Sequence, residues 1–145
     1  MTTRQLFVAL ACTMLGAAAM YSASNLTAED KPVPAPRVYE LRTYTTLEGR
    51  LDALHARFRD HTTKLFEKHG MKNHEYWTPT DPERAKNTLI YVVSHDSMEA
   101  AKKSWEAFRN DPEWAKVRDA SEADGKIVSK VESVYMTLTD YSPVK

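Results

Sequence analysis

The chain has few of the residues from which small functional sites are commonly built. Of its 145 residues one is cysteine, Cys12, and it lies in an apolar run near the N-terminus. Everything downstream therefore lacks a thiol, which excludes disulfides, cysteine nucleophiles and thiolate metal sites. The four glycines, Gly16, Gly49, Gly70 and Gly125, are scattered singly. They assemble neither a phosphate-cradling loop nor a Gly-x-Ser-x-Gly elbow, which disfavours nucleotide binding and serine hydrolysis. Neither sign of charge dominates: 20 Lys and Arg stand against 20 Asp and Glu, interspersed and without a basic block. Such a surface has no stripe to meet a phosphate backbone, and nucleic-acid binding is set aside. No two of the five histidines are four residues apart with a carboxylate nearby, so no metal site is expected.

Long hydrophobic runs are also missing, with one exception. Leu6 to Met20 is apolar, preceded by Arg4 and followed by small residues at Ala17 to Ala19 and Ser22 to Ser24. The run is short for a membrane span, which needs roughly 20 residues. A basic start, a short apolar stretch and a small-residue exit describe a secretory signal peptide, assigned here to residues 1–28, with cleavage between Ala19 and Ala28. Cys12 sits too early in the run to mark a lipid-modified terminus. The expected destination is periplasmic or extracellular, with no stable membrane anchor after cleavage. Losing Arg4 from the 20 basic residues leaves 19 against 20 acidic. Residues 29–37 carry Pro32, Pro34 and Pro36, an extended linker with no core of its own. A single domain is expected over 38–145.

Within it, residues 38–46 alternate with period two: Tyr39, Leu41 and Thr43 on one side, Val38, Glu40, Arg42 and Tyr44 on the other. Thr45-Thr-Leu-Glu48 reads as a capping box. Leu47, Leu51, Leu54, Phe58, His61, Leu65 and His69 then form one helical stripe, stopped by Gly70. Met71–Thr78 and Thr88–Ser94 read as strands. Asp96-Ser-Met-Glu99 opens a helix with Ala101, Trp105 and Phe108 inward, and Asp111-Pro112 opens another with Trp114 and Val117 inward. A last strand is expected over Lys126–Tyr141, with Val128, Val134, Met136 and Leu138 in one register. The order β-α-β-β-α-β is the ferredoxin-like arrangement, an α+β fold with a four-stranded antiparallel sheet and helices on one face.

Four phrases, Val38-Tyr-Glu-Leu-Arg-Thr-Tyr44, Glu75-Tyr-Trp-Thr78, His95-Asp-Ser97 and Asp111-Pro-Glu-Trp114, resemble the NIPSNAP family over about Val38 to Tyr141. The resemblance implies a dimeric α/β barrel, in which two sheets meet across a two-fold axis. It implies no settled chemistry: relatives act as interaction proteins, and a small-molecule-binding or scaffold role is the first expectation. The wider superfamily includes haem-dependent and cofactor-independent oxygenases with a pocket between helices and sheet. That makes His61 the candidate catalytic residue or haem ligand of an alternative, enzymatic reading, set against a plain core histidine. Haem is otherwise not expected.

Glu40, Arg42 and Tyr44 are expected on the helix-free side of the sheet, where charges would pair at the homodimer interface or clamp a ligand. Trp77, Tyr91 and Trp114 are candidates for an aromatic wall around a small apolar ligand, or for ordinary core.

Overall fold

Period-two alternation carries Val38–Thr46 into strand β1. The computed structural model describes residues 36–144, part of one compact unit spanning 33–145. The expected signal segment and nearly all of the proline linker lie outside the described residues. After β1 come α1 (Leu51–Arg57), a π-helical turn (Phe58–Thr62), α2 (Thr63–Lys68), β2 (Lys72–Trp77) and a 3-10 turn (Arg84–Lys86). Then follow β3 (Thr88–His95), α3 (Met98–Arg109), α4 (Pro112–Ser121) and β4 (Val128–Met136). The strands are antiparallel in the order β2-β3-β1-β4, a ferredoxin-like α+β fold.

Register identifies the covered face. Glu40, Arg42 and Tyr44 lie opposite Val93, Tyr91 and Leu89. Those three β3 residues are in the core with Leu54, Phe58, Phe66, Trp105 and Phe108 from the helices. The side holding Glu40, Arg42 and Tyr44 is therefore the helix side, which corrects the expectation that it was bare. The open face instead carries Tyr39, Leu41 and Thr43, with Ile90 and Val92 of β3 and Val134 and Met136 of β4 in register beside them. Alternation sorts residues into two sets, but it cannot say which set the helices cover.

The first helical region is not the single stripe expected. A π-turn inserts one extra residue, so everything beyond it rotates by about 100° relative to a continuous α-helix. Thr62, 1% exposed, takes the inward position that continuous periodicity gives His61, and His61 points to solvent. Thr62 and Thr63 hydroxyls donate to the carbonyls of Arg57 and Phe58, five residues back, filling the widened turn.

Helix starts follow local chemistry with two corrections. Asp111 accepts from the Glu113 N–H with Pro112 at the first turn, as expected. Ser97, rather than Asp96, is the cap of α3, accepting from Ala100. Thr45 and Glu48 form no capping box, because Thr45 is still in β1, paired with Thr88 and Lys130; α1 begins at Leu51 with no side-chain cap. Leu47, expected in the stripe, is consequently exposed. A register shift between Thr45 and Thr46 places Val128 beside Thr46 and takes it off the side shared by Val134 and Met136. Gly70 ends the helical region with φ +76°, a value that favours glycine.

Candidate functional site

The most concentrated chemistry among the described residues is the buried carboxylate of Glu40. Strand β1 points it toward the helices, where it has no solvent exposure. Its Oε1 accepts from Arg42 Nη1 at 2.6 Å and from the Ser133 hydroxyl on β4 at 2.6 Å. Its Oε2 accepts from the Trp105 indole N–H on α3 at 2.6 Å and lies 3.2 Å from His95 Nε2 at the end of β3. Burial alone would raise the pKa of this group. The donors from His95, Ser133 and Trp105 and the Arg42 charge outweigh it and hold the pKa at about 2. With Glu40 ionised, His95 Nε2 carries the hydrogen it donates. His95 Nδ1 is buried without a partner among the described residues.

Arg42 leans over the Trp105 ring, its guanidinium carbon 4.2 Å from the ring centroid, and reaches the Tyr44 hydroxyl at 3.4 Å. Its Nε is buried without a hydrogen-bond partner among the described residues, as is the hydroxyl of Tyr91 on the facing strand position. Burial pushes the Tyr91 hydroxyl well above the usual tyrosine value, with Tyr44 adding to the effect. A carboxylate has about four acceptor sites, and four donors occupy those of Glu40. A general base for neutral pH needs a pKa near 7 and a free lone pair, and Glu40 has neither. The arrangement does something else: it pins β1, β3, β4 and α3 to one charged atom pair.

The other candidates are dispersed. Tyr44 and Tyr91 belong to a run of ring contacts with Phe58, Phe66 and Tyr76. Trp77 is 45% exposed and borders a 230 Å³ cavity with Phe58, Arg59 and Tyr76. Trp114 is half-buried and makes a tilted contact with Phe108, centroids 4.6 Å apart. His61 is exposed on the rim of a 560 Å³ groove between α1 and α4, floored by Ala53, Val117 and Ala120. It points to solvent and not into the gap between helices and sheet where it was expected; the π-turn is the reason. His69 Nε2 meets Asp111 Oδ2 at 2.6 Å, and Lys68 meets the same oxygen at 2.8 Å. Hydrogen bonds from Lys68, the Glu113 backbone and His69 hold the Asp111 carboxyl well below the usual range. No group of three or more metal-ligating side chains is found among the described residues.

Sequence reasoning marked Glu40 and Arg42 but missed His95, Trp105 and Ser133, which complete the cluster. Only tertiary pairing could have found them.

The NIPSNAP family model matches residues 39–143. No curated protein matches. Among solved structures, a NIPSNAP family protein of unknown function from Agrobacterium tumefaciens is 18% identical with a TM-score of 0.64, covering 76% of this chain and 95% of its own. An uncharacterized NIPSNAP domain protein from Burkholderia xenovorans is 17% identical with a TM-score of 0.61, covering 73% and 98%. SnoaB, a cofactor-independent oxygenase from Streptomyces nogalater, is 15% identical with a TM-score of 0.52, covering 75% and 99%. At these identities the likeness is one of fold.

Proposed function

Since the chain belongs to the NIPSNAP family, we propose that it is an exported homodimeric binding or scaffold protein that holds a small apolar ligand at its open sheet face. The observation that carries this reading is the composition of that face. Leu41, Ile90 and Val92 are only half-buried there, while Val134 and Met136 are 55% and 36% exposed. Glu132 and Lys130 share the face beside Thr43 and Thr45, so its apolar part is the Tyr39–Leu41 end. An apolar patch is costly to leave in water, and a second copy of the same face can cover it across a two-fold axis. Two such sheets stack about 10 Å apart, with interdigitated side chains between them. A 290 Å³ cavity at one end of the face, lined by Tyr39, Val92, Met136 and Leu138, offers room for an apolar guest. Export rests on the basic, apolar and small-residue order of residues 1–28.

The oxygenase alternative placed His61 in the helix–sheet gap, whereas His61 is exposed, and the likeness to SnoaB is a distant one of fold. Sedimentation velocity tests the pairing. The protein is expected to sediment as two copies, and Leu41→Asp or Val134→Asp as one, with unchanged far-UV circular dichroism. A parent protein that stays single at high concentration would overturn the homodimer.

A further inference from the structure

We infer that the segment leading into β1 and the segment following β4 border a binding site for a carboxylate-headed aliphatic molecule, its head at a cationic mouth and its chain in the adjoining apolar cavity. This deepens the ligand-holding half of the proposed function and rests on it; one copy supplies every described residue lining the two cavities.

The mouth is a 470 Å³ cavity where Pro36 and Arg37, leading into β1, meet Leu138 and Val144 of the C-terminal segment. Its remaining walls include Tyr39, Lys72 and His74. Volumes of this order suit small-molecule ligands. Three of its lining side chains can carry positive charge, and none of the described residues lining it is acidic. Arg37 is engaged with Asp96 at 3.2 Å, whereas Lys72 is exposed and has no ion-pair partner among the described residues. His74 is held in place by the Ser94 hydroxyl at 2.9 Å and by its tilted contact with the Tyr39 ring, centroids 5.2 Å apart.

The second cavity is what makes the site amphiphilic. Tyr39, Thr137 and Leu138 line both the cationic mouth and the 290 Å³ apolar cavity, so the two adjoin. A molecule with an anionic head and an aliphatic chain satisfies both halves, and a wholly apolar or wholly ionic one leaves half unmatched. The local field agrees. Burial lowers the His74 pKa, Lys72 and Arg37 push it the same way, and Glu75 opposes them. A bound anion would act with Glu75 and raise it.

The test compares decanoate, kept below its micelle-forming concentration, with decanol by calorimetry, while imidazole resonances follow His74. Decanoate is expected to bind more tightly than decanol and to raise the His74 pKa. Lys72→Glu, an exposed change with unaltered circular dichroism, is expected to weaken decanoate about tenfold and leave decanol unchanged. Equal binding of both probes, or indifference to Lys72→Glu, would overturn the acid-binding inference and leave the apolar-ligand reading standing. Failure of both probes to bind would overturn the two together.

Discussion

A carboxylate removed from water keeps its charge only where donors replace the solvent it has lost, and Glu40 has four of them. Replacing it by glutamine keeps the shape but removes the charge that Arg42, Trp105 and Ser133 address. We expect Glu40→Gln to lower unfolding free energy by about 3 kcal/mol in urea denaturation, because it leaves Arg42 and its neighbours imperfectly paired. The pH dependence has a fixed sign. The folded pKa of Glu40 is depressed from 4.5 to about 2, so its contribution is complete above about pH 4.5 and is lost as pH falls toward 2. Across that window the parent should lose stability more steeply than Glu40→Gln, and parallel curves would contradict the assignment. Asp111 is depressed too, and its share is common to both proteins. Two of the five members of this cluster were legible in the sequence. Glu40 and Arg42 are two apart, which alternation places on one side. His95, Trp105 and Ser133 are 55, 65 and 93 residues away from Glu40, beyond the reach of any local pattern.

Among the elements, the π-turn has the largest functional consequence, because it decides which polar residue faces inward. A stripe drawn at 100° per residue through Leu51, Leu54 and Phe58 reaches His61; one inserted residue hands that place to Thr62. Thr62→Ala should cost about 1–2 kcal/mol through the lost hydroxyl bond and the buried methyl. His61→Ala should stay within about 0.5 kcal/mol of the parent. Chemical denaturation of the pair checks the phase directly, and the reverse order of costs would restore the continuous helix. Caps were legible where the chemistry is local, as in Asp111-Pro112. The Thr45–Glu48 box failed because strand pairing to β3 and β4 claims Thr45 first.

For the whole molecule, the order of strands and helices was readable from periodicity, glycines and caps, and the structure has it. The covered face was not readable, since charge on one set of alternating residues looks like exposure until the helices supply donors. That inversion changes the physics expected of the assembly. An interface built on Glu40 and Arg42 would weaken as salt screens it. One built on Leu41, Val92, Val134 and Met136 should persist, or tighten, between roughly 0.05 and 1 M sodium chloride. Sedimentation equilibrium across that range distinguishes them, and dissociation at high salt would argue against the apolar face.

Strand β4 flanks the sheet and pairs with β1 alone, and its side chains from Ser129 to Met136 are exposed. Bare strand borders recruit other chains into fibrils. Lys130 and Glu132, joined at 2.9 Å near the middle of that border, place fixed charge where an incoming strand would have to lie. Fixed charge on a strand border disfavours the addition of the further strands that amyloid growth requires.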